Sequence, residues 1–177
     1  MADAIPDLEI GKAAEHLVVA DLILSGYRAY LTEQGLPYDV VLDHEGKLYR
    51  IQVKATRCAK KVPTRGAVGT GYLFQVRRAG KRGRRQYANA EFDIIALVAL
   101  DIRVIAYLPF EKRILQTIHL RPPGHCPSAR TERTRTIDQF PIESAIWAFT
   151  GKQPVLASRT EPIPTSFGGQ GLLFGNS

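Results

Sequence analysis

Two mainly apolar runs of the sequence, residues 38–42 and 47–56, carry polar side chains where a buried strand should not. Asp39 lies in the first run, and Gln52 and Lys54 lie two positions apart in the second. A buried carboxylate is costly unless it is paired, hydrogen-bonded or bound to a metal. Neighbouring oxygen donors suit Mg²⁺, and a lysine beside them can orient a water and offset charge that builds on phosphorus. These residue types therefore predict metal-assisted chemistry at a phosphate.

A predicted hairpin brings the three groups to one patch. Side chains alternate between the two faces of a strand, so Gln52 and Lys54 share one face while Ile51 and Val53 face the core. The turn at residues 44–46 joins the two runs and brings the aspartate of the first run near Gln52. An acid, an amide oxygen and an ammonium are therefore expected to converge.

Two neighbouring features favour this chemical interpretation. In isolation, the spacing would favour a surface ion pair between Asp39 and Lys54. However, Glu15 lies in a predicted helix beside Ala14, on or near its apolar face, and a basic block begins directly after the lysine, at Arg57. Together these features favour a site that acts on a polyanion.

The basic block is the strongest signal in the composition. The net charge is +7 and the pI is about 9.6, and residues 57–85 hold ten basic side chains and no Asp or Glu. A block of one sign indicates nucleic-acid binding, although a solvated surface loop is the simpler alternative. The predicted DNA contacts are Arg57, Lys60, Lys61, Arg77, Arg78, Lys81, Arg82, Arg84 and Arg85. The aromatic residues that flank the block, Tyr72, Phe74 and Tyr87, can stack on bases or pack within a sheet.

Hydrophobic periodicity predicts the elements that position these residues. A helix is expected over residues 8–25, with Asp7 as its cap and Gly26 at its end. Strands are expected at 27–31, 38–42, 47–56, 72–77, 92–100, 103–108 and 115–120, with the runs at 92–100 and 103–108 as central strands. A Gly-rich loop precedes residue 72, and a closing helix over 141–149 uses Trp147 and Phe149 as core anchors. The predicted fold is α/β (α+β), with a mixed central sheet flanked by helices.

The chain divides by composition into a folded domain, residues 1–150, and a flexible tail, residues 151–177. No apolar run approaches the roughly 18 residues of a membrane span, and the N-terminus lacks the pattern of a secretion signal. The two cysteines, Cys58 and Cys126, form no disulfide framework. We therefore expect no membrane association and a cytoplasmic location.

The ordered motifs resemble those of the PD-(D/E)XK nuclease superfamily. They are GKAAE at residues 11–15, YDVV at 38–41 and IQVKAT at 51–56, and the resemblance covers about residues 8–115. The small branch that contains a group I intron homing endonuclease is most similar, because it too has glutamine where most members have glutamate. Archaeal-type Holliday junction resolvases are more distant. The resemblance implies a restriction-endonuclease-like fold.

The resemblance also implies a role for each residue of the site. Asp39 would be the main metal-ligating carboxylate, and the side-chain oxygen of Gln52 and the backbone carbonyl of Val53 would complete the metal shell. Lys54 would position or activate the attacking water, and Glu15 would bind a second metal or a water on the metal. The implied cofactor is Mg²⁺ (or Mn²⁺). The sequence departs from the family pattern in the neutral glutamine and in the tyrosine that separates the proline from the aspartate.

The implied activity is a Mg²⁺-dependent endodeoxyribonuclease that cleaves double-stranded DNA. A homing-type, sequence-specific enzyme is the first alternative, and a junction or repair nuclease is the second. A chain of this size covers little DNA alone, so a homodimer or tetramer is expected. A catalytically weak or inactive DNA-binding module on the same fold, and a structural or RNA-binding basic protein, are the competing interpretations.

The tail contains a second motif. Gln170, Leu173 and Phe174 resemble the bacterial sliding-clamp-binding pentapeptide Q-x-x-L-F. An unstructured end can insert leucine and phenylalanine into an apolar groove while glutamine fixes the register. The alternative is a tail that docks on its own domain.

Overall fold

The structure is a computed structural model that describes residues 5–64, 67–77, 87, 91–110, 116–124 and 135–151. Two α-helices, α1 and α2, and eight strands, β1 to β8, occur in this part of the chain. In chain order they are α1 (Asp7–Leu24), β1 (Arg28–Leu31), β2 (Val40–His44), β3 (Lys47–Thr56), β4 (Lys60–Thr64), β5 (Ala67–Gln75), β6 (Ile94–Ala99), β7 (Val104–Pro109), β8 (Thr117–Leu120) and α2 (Ile142–Thr150), with a 3₁₀ turn at Ile137–Gln139 before α2. No helix in these described ranges is long and apolar enough to cross a membrane.

The strands form a mixed five-stranded sheet and a smaller three-stranded sheet. The first has the order β1-β2-β3-β6-β7, and the second has the order β4-β5-β8. β3 pairs with β6 in parallel, whereas the other neighbours are antiparallel. The predicted α+β architecture, with a mixed central sheet flanked by helices, is confirmed.

Both faces of the larger sheet are covered. On one face, Val18 of α1 and Ile146 of α2 pack in a core with Ile51 of β3. On the other face, Phe74 of β5 packs in a second core with Ile95 of β6. Every residue of β6 is therefore buried, which explains why its sequence is continuously apolar rather than alternating.

The three-stranded sheet is the main departure from the sequence prediction. The residues predicted as a Gly-rich loop form β4 and the first half of β5, which pair from Lys60↔Gly71 to Thr64↔Ala67. Glycine and proline are depleted in strands, so their local preferences opposed this assignment. β5 also pairs with β8, a strand far away in the sequence, and local sequence patterns do not reveal this pairing.

Three smaller predictions were also wrong. β7 lies at an edge of the larger sheet rather than at its centre, and α2 packs beside it. Pro6, not Asp7, is the N-cap of α1, and Asp7 accepts a hydrogen bond from Arg57 at 3.0 Å instead. Trp147 and Phe149 are exposed by 47% and 37%, because Ile142, Ala145 and Ile146 form the buried stripe of α2.

A bidentate ion pair connects β3 to the residue that precedes β6. Nε and Nη2 of Arg50 donate to the two carboxylate oxygens of Asp93 at 3.0 and 2.9 Å, and the Arg50 backbone N–H donates to Asp93 at 2.8 Å. Burial alone would raise the pKa of Asp93, but the hydrogen bonds from Arg50 outweigh it and the net pKa is lowered. The pair therefore stabilises the fold whenever Asp93 is ionised.

We predict that Asp93→Asn lowers the free energy of unfolding at pH 7 by about 1–2 kcal/mol, because it breaks the bidentate pair between partly exposed side chains. A lowered pKa in the folded state means that this contribution is present above the unfolded pKa, about 3.9, and is lost as pH falls through the folded pKa. Urea titrations should therefore show a difference between parent and variant at pH 7 that shrinks at pH 3. Asp138→Asn, at an exposed position of the 3₁₀ turn, is the matched control. An equal loss at both pH values would contradict this account.

Candidate active site

Asp39 lies immediately before β2, at a bend rather than inside the strand as predicted. Its backbone N–H donates to the Ile51 carbonyl at 2.9 Å, which continues the β2–β3 pairing by one residue. Its Oδ2 accepts a 2.8 Å hydrogen bond from the Val53 backbone N–H. The carboxylate is therefore held against the middle of β3.

The Gln52 side chain completes this contact. Gln52 is only 5% exposed, because the second sheet covers the face of β3 on which it lies. Its Nε2 donates to Oδ2 of Asp39 and, at 3.2 Å, to the Val53 carbonyl oxygen. The Asp39 carboxylate, the Gln52 amide and the Val53 carbonyl thus lie together in the structure.

Lys54 lies two residues farther along the same face and is half-buried. Its ammonium lies 5.2 Å from the centre of the Tyr87 ring, a cation–π distance. Tyr87 in turn packs edge-on against Phe92, with the ring centres 4.9 Å apart. Tyr87 is therefore a site residue that the sequence interpretation did not assign, since no local spacing connects it to a lysine 33 positions earlier.

Glu15 enters the site from α1. It is half-buried one position after Ala14, which is fully buried in the core between α1 and the sheet. Burial raises the pKa of Glu15, the Asp39 carboxylate raises it further, and Lys54 opposes the increase. The Asp39 and Lys54 charges therefore both act on the helix glutamate.

Burial also raises the pKa of Asp39, against the opposing effects of the Val53 N–H, the Lys54 charge and the Gln52 amide. Two carboxylates with raised pKa values therefore lie near one ammonium. Excess negative charge that is partly removed from water favours binding of a cation. The electrostatics of the site agree with a metal-binding role.

The donor set fits a hard divalent cation. Asp39 and Glu15 offer carboxylate oxygens, Val53 offers a carbonyl oxygen and Gln52 offers an amide oxygen, all of which suit Mg²⁺ or Mn²⁺. Among the described residues, no group of three or more His, Cys, Asp or Glu side chains forms a metal cluster. A metal here would therefore rest on two carboxylates supplemented by neutral oxygens and water.

The Gln52 amide presents its nitrogen, rather than its oxygen, to Asp39 and Val53. The amide N–H groups thus contact two of the oxygen atoms that would hold a cation. A half-turn of the amide about its terminal bond exchanges Nε2 for Oε1. Metal binding at this site therefore requires Gln52 to give up both hydrogen bonds.

We predict that Gln52→Glu increases the affinity for Mn²⁺ on the order of tenfold, because it adds a negative charge to the metal shell. Without metal, two adjacent carboxylates should repel each other and lower the melting temperature. Calorimetric titration with Mn²⁺ and thermal melts with and without Mn²⁺ would measure both effects. Gln75→Glu, at an exposed position of β5, is the charge-matched control. Unchanged affinity would place Gln52 outside the metal shell.

We also predict that Tyr87→Leu lowers the turnover number for DNA cleavage while DNA affinity changes little. The ring restricts the position of the Lys54 ammonium, and an aliphatic side chain cannot supply the cation–π attraction. Tyr87→Phe keeps the ring and should retain most activity. Single-turnover cleavage rates at saturating protein would separate turnover from binding. A loss in the phenylalanine variant equal to that in the leucine variant would assign the role to the hydroxyl.

The predicted DNA-contacting residues occupy several settings. Lys60 and Lys61 are exposed on β4, and Arg57 is exposed beside the start of α1, where it donates to the Ile5 carbonyl and to Asp7. Arg77 follows β5, and its buried Nε has no hydrogen-bond partner among the described residues. The other predicted contacts, Arg78, Lys81, Arg82, Arg84 and Arg85, lie outside the described residues, as do Gln170, Leu173 and Phe174 of the tail.

Comparison with known proteins agrees with this geometry. The family model of the PD-(D/E)XK endonucleases matches residues 7–146. Among solved structures, a bacterial homing endonuclease, I-Ssp6803I, is similar with a TM-score of 0.56 and 18% sequence identity, over 80% of this chain and 95% of that chain. No curated protein matches the sequence.

The structural similarity shows that the fold is restriction-endonuclease-like. The family match spans α1, the hairpin and β6, and therefore includes every residue of the candidate site. The chain belongs to the PD-(D/E)XK endonuclease family.

Proposed function

We propose that the protein is a Mg²⁺-dependent endodeoxyribonuclease that hydrolyses phosphodiester bonds in double-stranded DNA, with Mn²⁺ as an alternative ion. The single observation that carries the proposal is the convergence of the Asp39 carboxylate, the Gln52 amide and the Val53 carbonyl beside Lys54. Membership of an endonuclease family supports the same activity.

Each residue has a proposed role in hydrolysis. Asp39, Gln52, Val53 and Glu15 would hold the divalent ion, which would supply Lewis-acid stabilisation of the charge that develops on the phosphate. Lys54 donates hydrogen bonds that orient the attacking water and offset negative charge at phosphorus. The water oxygen forms a bond to phosphorus as the water gives up one proton to solvent. The bond from phosphorus to one sugar oxygen breaks, and the departing oxygen takes up a proton from solvent.

For the substrate, we propose a specific duplex site of the homing type. The similarity of the fold to a bacterial homing endonuclease supports this choice. Incubating the protein and Mg²⁺ with a library of randomised duplexes, beside a four-way junction of matched length, tests it. Enrichment of cut products that share one sequence would support the homing type, whereas cutting of the junction independently of sequence would support a junction or repair nuclease.

We propose that two or four copies act together in the cytoplasm. A duplex has two strands of opposite direction, and the chain holds one candidate site of this kind among its described residues. A symmetric assembly would bring one site to each strand. Light scattering of the DNA-bound protein measures the number of copies, and a monomer that cuts both strands at full rate would contradict the proposal.

The sequence of the tail is the basis for one further proposed partner. We propose that Gln170, Leu173 and Phe174 bind the bacterial sliding clamp as an extended peptide. A pull-down with a bacterial clamp, comparing the parent with Leu173→Ala, tests this proposal. Equal capture of both proteins, or of neither, would rule it out.

The second candidate function is a catalytically weak or inactive DNA-binding module. The hydrogen bonds from the Gln52 amide nitrogen to Asp39 and Val53 favour it, because they use the oxygens that a metal would need. Such a module would bind DNA equally well with Mg²⁺ or with a chelator, and would cut no substrate.

A further inference from the structure

On the outer face of the three-stranded sheet, nitrogen-bearing side chains lie over two glycines of β5. Tyr72 and Phe74 of β5 point into the core, so the alternating positions Gly69 and Gly71 lie on the opposite, outer face. An added Cβ at Gly69 would lie 2.8 Å from Cζ of Arg121, well inside van der Waals contact. The Arg121 guanidinium therefore uses space that a side chain would otherwise fill.

His119 is placed in the same way. A Cβ at Gly71 would lie 2.6 Å from Cδ2 of its ring. Lys60 of β4 pairs directly with Gly71 and is exposed on the same face. Lys60 of β4, His119 of β8 and Arg121, the residue after β8, thus place three nitrogen-bearing side chains on the outer face of this sheet. We call this surface of Lys60, Gly69, Gly71, His119 and Arg121 the glycine platform.

Close approach, rather than backbone freedom, explains the two glycines. Neither Gly69 nor Gly71 has a positive φ, unlike the turn glycines Gly26 and Gly46. Glycine within a strand costs roughly 0.5–1 kcal/mol relative to alanine, so two of them weaken β5. The observable gain is the room for the Arg121 guanidinium and the His119 imidazole that lie over them.

Arg121 is held in a geometry suited to an anion. Its Nη1 donates to the Thr70 carbonyl at 2.8 Å, which fixes the plane of the guanidinium against the strand. A planar guanidinium matches phosphate oxygens well, and fixing it beforehand reduces the entropy lost on binding. Burial and the neighbouring Arg121 charge lower the pKa of His119, so its imidazole is mainly neutral at pH 7 and would offer a hydrogen bond rather than a charge.

We propose that the glycine platform binds the phosphate backbone of the DNA that the active site cuts. This inference rests on the proposed function and adds His119 and Arg121 to the DNA-binding residues. Lys60 follows Lys54 by six residues, so their Cα atoms are at most about 20 Å apart even in an extended chain. That distance corresponds to roughly six base pairs of B-DNA, which carries one phosphate charge per about 1.7 Å of axis. A duplex at the active site therefore extends far enough to reach the platform.

The test uses substitutions that displace the Arg121 and His119 side chains without removing them. In Gly69→Ala and Gly71→Ala, the new methyl group must displace the flexible ends of Arg121 and His119, so the net charge stays the same. Gly11→Ala in α1 is the matched control, because its Cβ would have no neighbour within 4 Å. Arg121→Ala removes the charge directly, with Arg28→Ala, exposed on β1, as its control.

Binding of a labelled duplex would be measured in EDTA and in Ca²⁺ between about 50 and 200 mM salt, together with the melting temperature of each variant. We expect Arg121→Ala to weaken binding about tenfold and to lower the salt slope by about one. Gly71→Ala and Gly69→Ala should weaken binding several-fold without lowering the melting temperature, while both controls bind DNA as tightly as the parent does.

Three outcomes separate failure of this inference from failure of the proposed function. If the parent cuts DNA but the platform variants bind it as tightly as their controls do, the platform inference is wrong and the nuclease proposal stands. If Arg121→Ala changes self-association by light scattering without changing DNA affinity, the platform is a protein contact and the inference is also wrong. If the parent neither binds nor cuts DNA, the proposed function itself fails.

Discussion

Lys54→Met should reduce the rate of DNA cleavage by about 10²- to 10³-fold, the loss typical of removing one preorganised donor at a developing negative charge. The ammonium lies beside Asp39 and Glu15 and over the Tyr87 ring, so it is placed before substrate arrives. Methionine keeps the length and the apolar stem of the side chain but provides no donor. Single-turnover rates at saturating protein, with Mg²⁺, measure the loss.

Lys47→Met is the matched control for this prediction, because it removes the same charge from an exposed position at the other end of β3. DNA affinity in EDTA should be similar for the parent and both variants. The lower cleavage rate of Lys54→Met would then reflect slower turnover rather than weaker binding. If Lys54→Met cuts at the parent rate, or if the two variants lose activity equally through weaker binding, the assigned role of Lys54 is wrong.

Asp39→Asn should abolish metal-dependent cleavage without unfolding the protein. Both hydrogen bonds to the Asp39 side chain end on one oxygen, Oδ2, and the single oxygen of asparagine can accept both. The substitution removes the negative charge that would anchor the cation. We therefore expect loss of the increase in melting temperature that Mg²⁺ or Mn²⁺ gives the parent.

Without metal, Asp39→Asn should not lower the stability of the protein. Burial raises the pKa of Asp39, so the folded parent loses stability as pH rises from the unfolded value, about 3.9, through the raised folded value. Asparagine carries no such penalty, so Asp39→Asn should be at least as stable as the parent in EDTA at pH 7. Thermal melts at pH 4 and pH 7 measure this, with Asp43→Asn on β2 as the control. A large loss of stability in EDTA would show that the Asp39 carboxylate is a structural group.

The parts of the site that local periodicity controls could be predicted from the sequence. Gln52 and Lys54 lie on one face of β3 because they are two residues apart, and the short turn at residues 45–46 brings Asp39 back to the same strand. Glu15 was predicted from its position in an apolar helix and from the ordered motifs. The fold class followed from the same pattern of helix, hairpin and buried strands.

The parts that depend on distant partners could not be predicted. β4 and β5 contain glycine and proline, whose local preferences oppose strands, and their pairing is completed by β8, more than forty residues later. Tyr87 packs against the second core, and its ring also lies under the Lys54 ammonium, 33 positions earlier in the chain. The burial of Gln52 likewise depends on a second sheet, of which β4 and the first half of β5 were predicted as a loop.

The central claim is that the Asp39 site cuts DNA with a divalent metal, and supercoiled plasmid tests it most directly. The parent, Asp39→Asn and Lys54→Met would each be incubated with plasmid in Mg²⁺ and in EDTA, beside a cruciform plasmid and a plasmid carrying the sequence selected from the duplex library. The account predicts nicked or linear DNA from the parent in Mg²⁺ alone, on at least one of these substrates, and none from either variant. Intact DNA in every lane, with binding that EDTA leaves unchanged, would contradict the account and identify a DNA-binding module on a nuclease fold.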